Sequence, residues 1–243
     1  MARAKVMEVR PGIPAAQISL EERMTFVRRI YGWMSAALLV AFAGAAIAIK
    51  SGMALGILKT GFVGSILMVV AWIGLAYVVQ KVRHVPTWNV LAFAAYALFT
   101  GFVISSIVYV AMLFGAAKTG NPGTYVYMAL GGTVAIFGTL SVYAMTTKRD
   151  FSFMGGMLMV LLVVLILGGL VNMFVESIGF GIFLASIGVL VFSGFILYDT
   201  QKILRTYPSN EHVAASMTLF LNFVMLFVEM LRLIILIAAA GDD

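Results

Sequence analysis

Cysteine is absent from the 243 residues. A disulfide framework, a thiolate nucleophile and a cysteine metal site are therefore excluded. Charge is scarce: 11% of residues are Asp, Glu, Lys or Arg, against about 25% in soluble domains. Histidine occurs twice, as His84 and His212, and both are expected in loops. That leaves no intramembrane base for Ser193 and no metalloprotease cluster of histidines and acids. The last apolar run has no lysine, so a retinal Schiff base cannot form there, and no phosphate-cradling glycine loop is present. Catalysis is not expected.

Apolar residues are in excess. Hydrophobic side chains make up 63% of the chain and the mean hydropathy is +1.07. So few charges cannot cover that much apolar surface in water, so the surplus must face lipid. One span needs roughly 20 apolar residues, and seven runs qualify: 30–49, 61–79, 88–114, 124–145, 151–174, 178–198 and 213–239. They are too long, and too uniformly apolar, for the alternating strands of a membrane barrel. The fold expected is all-α and polytopic, with a basic cytoplasmic segment over residues 1–29 and a seven-helix membrane domain over 30–243. The first apolar run starts too late for a secretory signal, so the amino terminus is expected to be retained.

The net charge of +6 invites a nucleic-acid partner, but the basic residues cluster at helix ends, where they set orientation. Twelve lysines and arginines fall on the amino-terminal side of the bundle and three on the other. The amino terminus is therefore expected in the cytoplasm and the tail Gly241-Asp242-Asp243 outside. The partner implied is the lipid bilayer, with no nucleic acid.

Glycine is plentiful, at 24 residues, with pairs such as Gly131-Gly132, Gly155-Gly156 and Gly168-Gly169 inside runs. Small residues let membrane helices approach closely, and a hinge is the alternative role. Charges inside spans are costly and default to functional hypotheses. Asp199 closes the sixth run. Read as solvated, it is a helix-end carboxylate beside Lys202; read as functional, it is a cation ligand or proton sensor. In the seventh run Asn222 and Glu229 share one stripe roughly 10 Å apart along the axis, and Arg232 is placed to pair with Glu229. The stripe either faces the bundle interior or ends in a neutralised pair at the outer interface, with Arg232 snorkelling.

Several stretches carry a resemblance: Tyr143-Ala144-Met145-Thr146-Thr147-Lys148-Arg149-Asp150, Tyr198-Asp199-Thr200-Gln201-Lys202, Leu219-Phe220-Leu221-Asn222-Phe223 with Leu226-Phe227 and Leu231-Arg232, and the opening Ile30-Tyr31-Gly32-Trp33-Met34. From about residue 25 onward the chain resembles the bacterial branch of the Bax inhibitor-1 family. The resemblance implies seven helices with a central last helix wrapped by the other six, and a pH-sensitive calcium leak. It also implies two aspartates that share a proton and control closure, and a basic residue near the end of the second span that locks onto them. Asp199 matches the first aspartate, with Ca2+ as the transported ion it would meet. Lys81 or Arg83 is the nearest match to the basic partner. Position 222 departs from the pattern, because asparagine stands where the family has aspartate. An amide cannot share the proton, so a weakened or shifted pH response is expected, and Glu229 is too distant to rebuild the pair. The rival expectation is a non-conducting regulator or scaffold of membrane-protease or stress pathways; a proton/cation antiporter is a third.

Overall fold

Ser19 and Glu22 start the first helix earlier than the apolar run alone would place it. The Ser19 hydroxyl accepts the Glu22 backbone N–H at 3.3 Å, and the Glu22 carboxylate accepts the Ser19 backbone N–H at 3.0 Å. This reciprocal cap satisfies two donors that a helix otherwise leaves open. Helix α1 therefore runs Leu20–Lys50, and Arg23, Arg28 and Arg29 ride on it while Phe26 and Ile30 turn into the interior. The computed structural model describes residues 14–241 other than 86 and 209, without the side chains at 15, 62, 63 and 65. The basic residues Arg3, Lys5 and Arg10 and the tail Asp242-Asp243 lie outside the described residues.

A seven-residue helix, α2 (Met53–Lys59), follows where a plain loop was expected. Then come α3 (Gly61–Val82), α4 (Trp88–Thr119), α5 (Thr124–Thr146), α6 (Met154–Val175), α7 (Ile178–Thr206) and α8 (His212–Ala240). His212 thus opens a helix instead of lying in a loop. The chain is an all-helical, multi-pass membrane protein. Among the described residues, six helices (α1 and α4–α8) are long and apolar enough to cross a bilayer, and the apolar stretch of α3, Ile66–Val82, is shorter.

Helix α8 is the most enclosed element, and it packs directly on α1, α4, α5 and α7. The resemblance implied six wrapping helices; four do so. Helix α3 packs on α2 and α4, and α6 on α7. Of the α6 residues only Leu158 is buried, so this almost wholly apolar helix turns most of its surface outward, which is stable only against lipid. Aromatic rings fill the interior around α8. Phe220 meets Phe93 edge-on at 5.7 Å, and Phe223 meets Phe137 at 5.4 Å. The Ser216 hydroxyl adds a buried tether to the Ile30 carbonyl at 3.0 Å.

The tightest approach is between α1 and α4. A β-carbon on Gly101 would collide with the Ala41 carbonyl oxygen, and one on Gly44 would come within 2.5 Å of the Leu98 carbonyl oxygen. The two backbones are in van der Waals contact, as small residues permit in membranes. In each glycine pair that stands out in the sequence one member packs and the other does not: Gly131, Gly156 and Gly169 face open space, whereas Gly132, Gly155 and Gly168 each lie under a side chain.

Candidate functional site

Helix α7 does not end at Asp199. It continues two turns to Thr206, which draws Asp199 away from the helix end and into the bundle. There it meets α8: the Asn222 side-chain amide donates to Asp199 Oδ2 at 2.9 Å. Asn222 is 7% exposed, so this is an interior contact between two extensively packed helices. The second carboxylate oxygen, Oδ1, takes no hydrogen bond from the described residues and is not occluded. Asp199 belongs to the lining of a cavity of about 370 Å³ whose other walls are largely apolar.

Among the described residues no cation forms an ion pair with Asp199. Lys202 acts on Asp199 through space, but its ammonium lies over the Tyr198 ring, 5.3–5.5 Å being the range for such contacts here and 5.5 Å for this one. The expected basic partner also lies elsewhere. Lys81 sits over the Tyr77 ring at 5.3 Å. Arg83 belongs to the α3–α4 connection, where its Nε donates to His84 Nε2 at 2.8 Å and lies 3.9 Å from the Glu211 carboxylate. His84 Nδ1 is 3.3 Å from the same Glu211. Arg83 therefore fastens the α3–α4 connection to the start of α8 and does not lock Asp199.

Glu229 is turned inward, its side chain lying against the backbone of Gly188 on α7, where a β-carbon would fall 2.7 Å from its carboxyl carbon. Its Oε2 is buried and has no hydrogen-bond partner, and Arg232 reaches it only through space. Of the two readings of the stripe, the interior one holds for Glu229, and the bonded pair with Arg232 does not form. Seven residues separate Asn222 from Glu229, so the two polar stations on α8 remain distinct.

Three features escaped the sequence. Tyr31 of α1, Ser141 of α5 and Thr200 of α7 gather three buried hydroxyls beside the Asp199 turn, near one another but without well-formed bonds. Trp72 and Tyr96 stack at 6.0 Å on the cavity side, with the Trp72 indole N–H donating to Thr100 at 2.8 Å. Gln201 clamps the α5–α6 connection: its amide donates to the Arg149 carbonyl at 2.8 Å and its oxygen accepts the Phe151 N–H at 3.0 Å. The same connection is held by the Asp150–Arg205 ion pair at 2.7 Å. The Ser152 N–H and hydroxyl, and then Arg205, keep the Asp150 carboxyl below the usual carboxylate range. Aromatics and hydroxyls in apolar runs read as packing, and only their convergence marks them.

Asp199 stands as a single carboxylate. Among the described residues no group of three His, Asp or Glu side chains is arranged to hold a metal. A hard cation such as Ca2+ prefers six to eight oxygens, which a single carboxylate does not supply.

Residues 23–239 match the family model described as inhibitor of apoptosis-promoting Bax1. Relatives are similar over most of their length. The modulator of FtsH protease YccA of Escherichia coli is 32% identical over 70% of this chain and 74% of its own. The E. coli inner membrane protein YbhL is 33% identical over 86% and 90%. A Golgi anti-apoptotic protein of vaccinia virus is 30% identical over 92% and 90%.

Proposed function

The chain belongs to the Bax inhibitor-1 family, and we propose that it is a cation leak pathway of a bacterial inner membrane, passing calcium under the control of the Asp199–Asn222 contact. The observation that carries this reading is an interior carboxylate hydrogen-bonded across the α7–α8 seam and lining a cavity, with no cation among the described residues paired to it. A carboxylate that is costly to bury and that no bonded cation among the described residues neutralises is the residue type expected on an ion path. Because the partner is asparagine, protons titrate one carboxyl instead of a shared pair, and the pH response is blunted relative to a two-carboxylate site. Purified protein in liposomes should pass calcium above the rate of empty liposomes, and Asp199→Asn should change the flux or its pH profile. Flux equal to that of empty liposomes would sink the proposal.

In this reading α3 is a seventh span. Its 22 residues rise about 33 Å, enough for a hydrocarbon core of roughly 30 Å. With the basic residues of α1 inside, the carboxyl terminus is then outside. Alkaline phosphatase fused after residue 243 should be active in intact cells and a fluorescent protein fused there should stay dark. The reverse pattern would mean an even number of crossings.

A second reading, a non-conducting regulator, is favoured by one observation: the E. coli relative YccA is described as a modulator of the FtsH protease. The basic segment preceding α1 would then be the docking element for a membrane protease or stress-pathway protein. Removing residues 1–13 spares the Ser19–Glu22 cap and so leaves α1 intact. A leak should keep most of its flux after this deletion, whereas a docking protein should lose co-purification with its protease.

A further inference from the structure

The cavity beside Asp199 lies between two helices that are held from opposite sides, α3 by α2 and α4, and α6 by α7. Ile73 and Ala76 of α3, Met159 and Leu162 of α6, and Asp199 and Asn222 line it together. Its volume of about 370 Å³ lies in the range of small-molecule sites. Ile73 is 60% and Met159 60% exposed, so the rim that these residues form meets the apolar phase that surrounds the bundle. Asp199, in the lining, has one carboxylate oxygen without a hydrogen bond and no bonded cation among the described residues. The walls are mostly aromatic and aliphatic: the stacked Trp72–Tyr96 pair, Phe192 and Phe195 of α7, and aliphatic side chains.

This combination is a poor cage for a small hard ion, which needs many oxygens. It suits a ligand with one positive charge on an apolar body, since the carboxylate balances the charge and the walls bury the rest. We propose that this cavity is a binding site for lipophilic monovalent cations, entered from the membrane between α3 and α6, with Asp199 as counter-ion. Asn222 is the positioning residue: its amide fixes Oδ2 and leaves Oδ1 directed to the ligand. The charge of the ligand discriminates this site from a groove that merely holds acyl chains, because an acyl chain has no reason to need Asp199.

The full chain in nanodiscs, with empty nanodiscs subtracted, is titrated with radiolabelled tetraphenylphosphonium. Saturable binding is expected at one site per chain, and tetraphenylborate, of nearly the same shape and opposite charge, should not displace it. Asp199→Asn should weaken binding at least about tenfold, as loss of one member of a buried charge pair does. Ala76→Phe, which fills the cavity and leaves the carboxylate in place, should abolish binding, so the proposal is tested even if Asp199→Asn does not fold. Binding no greater than in empty nanodiscs, equal displacement by tetraphenylborate, or unchanged affinity in both variants would overturn it. The readout is binding, so it stands or falls separately from calcium flux.

Discussion

Asn222→Asp should turn a shallow pH dependence of calcium flux into a steep one. The substitution is nearly isosteric and places a second carboxyl in hydrogen-bond contact with Asp199, where the amide now lies 2.9 Å away. The amide can donate to the ionised form of Asp199 and offer its oxygen to the protonated form, so protonation changes little in how firmly α7 and α8 are joined. Two carboxyls behave differently. With one proton between them they form a strong bond across the seam; without it they are like charges in contact. At about 4 Å and an effective dielectric near 20, such charges repel by roughly 4 kcal/mol, against about 1.4 kcal/mol for each factor of ten in an equilibrium. Raising the pH removes the shared proton and drives the seam apart, so flux in the variant should rise with pH at least about tenfold more than in the natural chain. The measurement is calcium entry into liposomes across a series of buffered pH values. Superimposable titrations of the two proteins would show that position 222 has no part in pH sensing.

The second large effect concerns the fold. Gly101→Val should severely destabilise the protein, whereas Gly131→Ala should not. At Gly101 any side chain meets the Ala41 carbonyl oxygen and lies 2.9 Å from the Ala45 nitrogen, both rigid backbone atoms, whereas at Gly131 nothing lies within 4 Å. The α1–α4 pair is the most extensive helix contact in the bundle, and forcing it open loses packing along its length. Overpacking of this kind costs about 3 kcal/mol or more, equivalent to a melting point lower by roughly 10 °C for a chain of this size. Thermal unfolding in detergent, followed by loss of the monodisperse gel-filtration peak, reads both variants. Equal stability of Gly101→Val and the natural chain would refute the close backbone approach.

Composition and run length determined a great deal. An apolar excess with few charges has one physical solution, helices in lipid, and the seven runs correspond to α1 and α3–α8. The capping box at Ser19 was written in the sequence too, though the polar look of residues 20–29 concealed that the helix starts there. Asp199 and Asn222 drew notice because polar groups in apolar runs are expensive.

What the sequence could not determine is which of those groups meet. Twenty-three positions separate Asp199 from Asn222, and only the antiparallel packing of α7 on α8 brings amide to carboxylate. Arg83 lies beside Glu211 instead of Asp199, because the end of α3 comes close to the start of α8. The packing of α7 on α8 also turns Glu229 onto Gly188 and away from a bond with Arg232. Local sequence sets helix formation, since hydrogen bonds and capping act within a few residues; pairing between helices depends on crossing geometry, and that is decided by where backbones can touch, as at Gly44 and Gly101.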